Sequence, residues 1–319
     1  MRPVSSSTVI RSDLGALLYK FFNDPSVFVI SQVLPTFKTP VASGQYPIIP
    51  KEHFIKVPSN IARAARSDYY RDDAFFDVDN FATEERGVEI LLDDSERNLY
   101  SHLFDAEKPI VERLSNIMLR QHEMKGAALL TNTSTFTNAS ASTAWSTAAT
   151  CDPRADVAAR KVAIRNATGI TPDTVVMSIK AFEAIVASKA FNSACQYFAA
   201  PLLSTEETQK KLVAQYLGVD KLMVVGGIKD TNKKPNANTI VSIWNDAIVM
   251  VCKTADNPND LKEPCVGRTF LFTGDSPDII TLESYREENK RSTVYRARSY
   301  LAEKIVCAEL GQLITGAIS

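Results

Sequence analysis

Lysine is missing from residues 60–90, although the chain carries 36 lysines and arginines in 319 residues. The cations of that stretch are Arg63, Arg66, Arg71 and Arg86. A guanidinium stays protonated at physiological pH and grips a carboxylate through a forked pair of hydrogen bonds. Phosphate-cradling loops are missing too: neither G-x-x-x-x-G-K-[ST] nor G-x-G-x-x-G occurs. Gly226-Gly227 follows an apolar run, but no helix start follows to receive a phosphate, so the pair reads as a tight turn. The absence of a G-x-S-x-G elbow removes the commonest hydrolase signature.

Histidine is scarce. His53, His102 and His122 lie far apart, in no His-x-x-x-His or Cys-His spacing, so they read as surface histidines on helices and no metal ligand set is expected. The cysteines (Cys151, Cys195, Cys252, Cys265, Cys307) are odd in number and scattered, which reads as free thiols in a reducing compartment. Acidic doublets such as Asp93-Asp94 and Glu206-Glu207 fall at helix starts, where the helix dipole alone attracts carboxylates. No catalytic, cofactor-binding or metal-binding residue is assigned.

Long hydrophobic runs are also absent. The most apolar N-terminal run, Leu14 to Phe22, is short and interrupted by Lys20, and no small-residue cleavage site follows it. The expectation is a cytoplasmic product with no membrane contact. A formal net charge of −1 argues against a nucleic-acid binder driven by overall positive charge, while leaving room for a local basic face.

What is present is an ordered punctuation. Residues 1–44 carry an amphipathic patch (Leu14, Leu17, Leu18, Phe21, Phe22), broken by Asn23-Asp24-Pro25. They read as a surface-hugging terminus or as an arm that packs on another subunit. Asp93-Asp94-Ser95 opens a short helix, and Asp105 caps a long one that reaches Leu130 on the spacing of Ile110, Leu114, Ile117 and Met118. Thr131–Thr150 is a Thr/Ser/Asn/Ala tract with one short strand. Asp152-Pro153 starts a helix that ends at Gly169. Thr174–Met177 is a buried strand, and Ser178 caps the next helix. A capping box at Ser204–Glu207 begins a helix running to Gly218. Strands are expected at Lys221–Val225, Thr239–Trp244 and Ala247–Cys252, the last two joined as a hairpin by Asn245-Asp246. Thr281–Lys304 is a charged extended stretch before an apolar C-terminus.

Residues 45–92 stand apart. Asp68, Arg71, Asp72, Asp73, Asp77, Asp79, Glu84, Glu85 and Arg86 crowd there with Tyr69, Tyr70, Phe75, Phe76 and Phe81 interleaved. A charge run alone is a solvated face. A solvated loop has no use for five rings, whereas a loop lying on a partner does, because rings supply large contact area. The subunit-interface candidates are therefore Arg63, Arg66, Tyr69, Tyr70, Arg71, Phe75, Phe76, Phe81 and Arg86.

The succession from about residue 25 onward resembles the major capsid proteins of tailed bacteriophages, the Hong Kong 97-type fold. No single motif carries the likeness. Phe28–Pro35 looks like the segment where the N-terminal arm joins the body, and Ser43–Pro47 like the start of the extended loop. Asp105–Leu130 resembles the spine helix. Asp152–Asp156, Asn166–Gly169 and Pro172–Met177 are similar to a recurrent block of these proteins. Val224–Gly226, Ile243-Trp244 and Pro264–Phe270 look like the axial domain, and Tyr285–Glu288 with Arg291–Tyr295 like the return strand.

The resemblance implies an α+β fold divided as follows: arm (1–44), extended loop (45–92), first part of the peripheral domain (93–188), axial domain (189–271), and return strand with C-terminus (272–319). It implies a homo-oligomer in hexamers and pentamers, an icosahedral shell around packaged double-stranded DNA held by non-specific contact, and a portal protein. It further implies assembly in the host cytoplasm into a virion capsid. No long helical extension precedes the arm, so a separate scaffolding protein or a processed chain is expected. An encapsulin-like compartment shares the fold and is the nearest rival; an α+β enzyme with a scattered active site and a DNA-binding adaptor are rivals of other classes. Some capsids of this kind weld neighbours through an isopeptide bond from a lysine on the extended loop. Here only Lys51 and Lys56, near the base of the loop, offer an amine.

Overall fold

The computed structural model describes residues 9–10, 28–48, 50–57, 61–63, 65–66, 68–73, 76–100, 107–195, 205–232, 239–275 and 277–318. The amphipathic patch at 14–22, Phe75, His102, the expected cap Asp105, Ser204 and Lys233-Lys234-Pro235 lie outside the described residues.

Strand β1 (Val9–Ile10), a helical turn α1 (Ile30–Val33) and β2 (Thr36–Thr39) lead to a long hairpin. Its strands are β3 (Ser43–Ile48) and β4 (Asp77–Ala82), and it carries the short α2 (Glu52–Ile55). Next come β5 (Glu84–Asp93), α3 (Asp94–Tyr100) and the long α4 (Glu107–Leu130). The middle of the chain supplies β6 (Thr137–Ser140), α5 (Pro153–Thr168), β7 (Thr174–Ser178), α6 (Ile179–Ala187), α7 (Lys189–Ala194) and α8 (Glu206–Leu217). Strands β8 (Lys221–Val225), β9 (Ile228–Asp230), β10 (Ile240–Ser242) and β11 (Val249–Cys252) follow. The last elements are β12 (Gly267–Phe272), β13 (Thr281–Glu287), β14 (Ser292–Ile305) and β15 (Gly311–Thr315).

The first sheet is organised by β14. It runs antiparallel to β5 from Ser292 opposite Asp93 to Leu301 opposite Glu84. It also pairs with β13 along Ser292–Arg298 and with β12 along Leu301–Ile305. β2 adds a parallel strand beside β12, and β1 pairs with β13. Strand β5 alternates: Val88, Ile90 and Leu92 turn to the core, and Glu85 and Glu89 to solvent. Residues 84–92, expected as part of the extended loop, are therefore a body strand; the period-two signal is present but short and buried among charges. The second sheet has the order β6-β15-β11-β7-β8, with parallel pairs at its two ends.

The 24-residue α4 spans about 36 Å. Val111, Leu114, Met118 and Leu119 pack on Leu92, Leu282, Tyr295 and Ala297 of the first sheet. Its C-terminal end turns to the second sheet, where Ala127 and Leu130 join Val176, Met223, Met250 and Leu313. Val29, Ile30 and Val33 wedge into the same core. A Cβ at Gly126 would lie 2.1 Å from Ile30 side-chain atoms, so only glycine lets α1 cross the long helix this closely. The opposite face of the second sheet (Val175, Met177, Val249, Val251) is covered by α5, α6 and α8 through Val157, Ile164, Phe182 and Val213.

The local signals explain these elements. Asp152 Oδ1 accepts from the Ala155 N–H at 3.1 Å, Pro153 opens α5, and Gly169 closes it at φ 76°. Ser178 caps α6 through the Ala181 N–H at 3.3 Å. The N-cap of α8 is Thr205, which makes no side-chain cap bond.

Three expectations change. Asn245-Asp246 is a turn, but it does not close a hairpin: β10 pairs with β9, while β11 lies between β15 and β7. Val249–Cys252 is buried at every position, which suits mid-sheet, whereas Ile240 is 63% exposed. The division at 188/189 runs through the second sheet, because β7 and β8 are parallel neighbours from Thr174 opposite Lys221 onward. Strand β15, assigned with the return strand, also belongs to that sheet. Finally, His122 is 3% exposed and so is not a surface histidine. All five cysteines are free, and four are buried.

Candidate assembly hairpin

The hairpin has a root anchored by Tyr46 and Phe81, the two buried residues of its strands, and an exposed outer part. At the root, β3 and β4 pair from Ser43 opposite Ala82 to Ile48 opposite Asp77. Phe81 stacks on Phe270 with ring centroids 4.6 Å apart, and Tyr46 lies 5.3 Å from Phe270. Phe37 meets Phe270 edge-on at 5.9 Å. Tyr46 Oη donates to Asp79 Oδ2 at 2.7 Å. Burial, then this bond, pushes the Tyr46 phenol well above its usual value.

Below the root lies a buried ionic clamp. Arg86 holds Glu303 through both guanidinium branches, Nη1–Oε1 at 2.7 Å and Nη2–Oε2 at 2.8 Å. His122, on the long helix, donates through Nδ1 to the same Oε1 at 2.8 Å. Burial alone would raise the Glu303 carboxyl; the bonds and charges of Arg86 and His122 outweigh it and hold the group far below the usual carboxylate range. Lys125 and Arg86 share Glu84 at the rim, at 2.8 and 3.4 Å. The clamp ties β5, β14 and α4 together where the hairpin leaves the body. At the next position of the helix after His122, Glu123 accepts from the Trp244 indole N–H at 2.6 Å and the Ile30 N–H at 2.9 Å. Burial pushes its carboxyl up against the pull of those donors.

Beyond Ile48 and Asp77 the ladder stops. Lys51 Nζ meets both Glu309 oxygens at 2.8 and 2.7 Å, which ties the start of the outward limb to the body. Arg63 lies over the Tyr69 ring at 4.5 Å, and His53 and Phe76 have centroids 5.5 Å apart. Arg66 adopts φ 69°, a left-handed turn conformation. Ile55, Val57, Ile61, Tyr69, Tyr70, Phe76 and Val78 are all at least 55% exposed. They are seven of the fifteen exposed large apolar side chains among the described residues, gathered in one short stretch.

The eight interface candidates among the described residues therefore divide. Arg63, Arg66, Tyr69, Tyr70, Arg71 and Phe76 lie on the exposed limbs. Phe81 and Arg86 are taken up by the chain's own core and clamp, with Phe81 only 6% exposed. Their partners, Phe270 and Glu303, lie some two hundred residues away in sequence, beyond the reach of local pattern. Sequence reasoning missed His122, Glu123 and Glu303 as a group. One signal was available: His122 and Glu123 sit on the apolar stripe of α4, between Leu119 and Ala127. A polar residue on such a stripe needs a buried partner.

No helix among the described residues is long and apolar enough to cross a membrane. No family model matches the chain, and no curated protein matches it. Solved structures do. A phage-related protein from Bordetella bronchiseptica RB50 superposes with a TM-score of 0.70 at 19% identity, covering 97% of this chain and 98% of that one. The capsid of the cyanophage P-SCSP1u gives 0.59 at 9% identity, covering 92% and 89%. A virus-like particle from Pyrococcus furiosus gives 0.54 at 12% identity, covering 95% and 96%. The likeness spans nearly the whole chain, and it is one of fold. The chain has the Hong Kong 97-type fold of tailed-phage major capsid proteins.

Proposed function

We propose that this chain is a major capsid protein: a structural subunit, not an enzyme, that assembles into the icosahedral shell of a tailed phage. The observation that carries the proposal is the outer hairpin, on a fold of this type. Six large apolar side chains (Ile55, Val57, Ile61, Tyr69, Tyr70 and Phe76) stand in solvent there, on a projection rooted by a ring stack and an ionic clamp. A monomer gains nothing from them; a neighbour that covers them removes apolar area from water at about 25 cal/mol per Å². Arg63, Arg66, Tyr69, Tyr70, Arg71 and Phe76 are the contact residues on this reading, with Phe75 beside them in sequence.

The subunits group as hexamers and pentamers, with a scaffolding protein and a portal protein as assembly partners. Double-stranded DNA is packaged against the inner wall by non-specific contact, and assembly takes place in the host cytoplasm. The arm and the extended loop are those of the implied division, with 84–92 moved to the body; the second sheet joins strands from 93–188, 189–271 and 272–319.

The hairpin is held without covalent welding. Lys51 is engaged by Glu309, whose hydrogen bonds push the amine further up and keep it protonated. Negative-stain microscopy of the purified chain tests the proposal. Closed particles of uniform size support it; a small oligomer overturns it. An encapsulin-like compartment is the rival reading of the same fold, and the enclosed material tells the two apart. Particles from infected or induced cells that protect genome-length DNA from nuclease support the capsid reading, and protein cargo without DNA supports the compartment.

A further inference from the structure

We infer that the joint between the helical turn α1, the long helix α4 and the turn at Trp244 is proton-linked: it closes with uptake of a proton on Glu123 and loosens when that proton leaves. This property belongs to the single subunit, whatever the chain assembles into.

The joint is tightly packed around one polar centre. α1 crosses α4 at Gly126, where a Cβ would strike Ile30. Earlier on the same helix, Glu123 is 0% exposed. The Ile30 N–H reaches its Oε2 from one element, and the Trp244 indole N–H reaches its Oε1 from another. The two donors tie α1 and the lead into β11 to a single carboxyl group. Val29, Val33, Ala127 and Met250, all buried, belong to the apolar core around Ile30 and Trp244.

Among the described residues, the charged groups near this carboxyl are committed elsewhere. α1 carries no titratable side chain. Near Trp244, Asp246 is held by Lys180 at 2.7 Å. On the second sheet, Cys252 is a buried thiol, Lys253 pairs with Asp173 at 2.7 Å, and Lys221 pairs with Asp256. Arg268 of β12 donates to the carbonyls of Pro258 and Glu263. On α4 itself, His122 gives Nδ1 to Glu303, Arg120 donates to the Ile228 carbonyl, and Lys125 pairs with Glu84.

An ionised carboxylate buried on neutral donors carries a desolvation cost that proton uptake removes. Burial outweighs the N–H donors and pushes the Glu123 carboxyl up. Once the joint opens, water solvates the group and its ordinary value of about 4.3 returns. A group that holds its proton more tightly in the closed state favours closure as the pH falls. That contribution is complete below about pH 4.3, shrinks as the pH rises toward the raised value, and is gone above it. Glu303, bonded to the preceding helix residue, is the opposite case: against burial, Arg86 and His122 hold it as an anion, and its contribution is lost in acid. Consecutive residues of α4 thus carry attachments that protons drive in opposite directions. Acid weakens the hold on the hairpin base and tightens the hold on α1.

Hydrogen exchange of the full chain, read by mass spectrometry from about pH 5 to about pH 8, tests the joint. Protection is taken relative to the unstructured peptide at the same pH, which removes the intrinsic pH dependence of exchange. Peptides covering residues 29–34 should lose about tenfold in protection across this range. Peptides of α5, on the opposite face of the second sheet, should hold theirs. Glu123→Gln cannot titrate, and its amide oxygen accepts from only one of the two N–H groups. The same peptides of that variant should show lower protection that does not change with pH. A thermal melt confirms that the variant folds; where it does not, the wild-type profile against α5 decides alone. Wild-type protection at 29–34 that stays flat or rises with pH overturns the inference. So does an equal slope in Glu123→Gln, which would place the titrating group elsewhere.

Discussion

The root and the outer part of the hairpin are built from the same kinds of residue and meet opposite fates. Both are rich in rings and in mixed charge. At the root, Phe81 finds Phe270 within the same chain and is buried, and just below it Arg86 finds Glu303 and is half-buried. Farther out, Phe76 and Arg66 stay exposed. Composition thus marks a segment that makes contacts, and the remote sequence decides whether the contact is internal or belongs to another molecule. A root anchored to the body by Tyr46 and Phe81 gives the projection a defined direction, and this is what allows a neighbour to be met at a set place.

The comparison breaks most severely if the body itself is lost. Leu114→Asp puts an unpartnered carboxylate against Leu92, Tyr295 and Ala297, at a cost of several kcal/mol. The expected outcome is insoluble protein; soluble particles from this variant would show that the face is not core. Next comes the clamp. Glu303→Ala leaves Arg86 and His122 facing each other without their shared anion, a loss of about 3 kcal/mol, read as a lower melting temperature. The Glu303 carboxyl is held below its unfolded value, so its contribution is full above about pH 4.3 and is lost as the pH falls below it. The melting temperatures of wild type and Glu303→Gln should accordingly converge toward acid pH.

A matched pair of phenylalanines sharpens the comparison. Phe81→Ala should cost about 3 kcal/mol by emptying the stack on Phe270. Phe76→Ala should leave the melting temperature within about 0.5 kcal/mol of wild type while lowering particle yield. Equal melts for the two variants would erase the distinction between root and outer part. The smallest effect is expected on a gel. Particles boiled in detergent and reductant should run as a single monomer band, since no lysine lies between Asn60 and Ile90 and Lys51 is ion-paired. A covalent ladder would show that some other amine reacts.

Much of the fold was legible because its signals are local. Asp152-Pro153 and Gly169 bound α5 at both ends, and the spacing along α4 marks Leu114 and Met118 as part of its apolar face, which packs on the first sheet. What escaped was set by pairing at a distance. Nothing near Asn245-Asp246 says that β10 and β11 belong to different sheets, because each strand takes its partner from elsewhere. In the candidate site the exposed rings and arginines were legible as contact-makers. The clamp was not, since Arg86, His122 and Glu303 come from three separate elements and each alone reads as a surface charge.

The absence of lysine from residues 60–90 has an analytical consequence. Arg66 and Arg71 lie exposed on limbs without a strand ladder, and the nearest lysine on the outward limb is Lys56. A protease specific for arginine should nick free subunits between residues 63 and 71 and leave assembled ones whole. A lysine-specific protease should spare that same span in both states. The ratio of the two digests would report the fraction of subunits in particles as assembly proceeds, without separating the mixture.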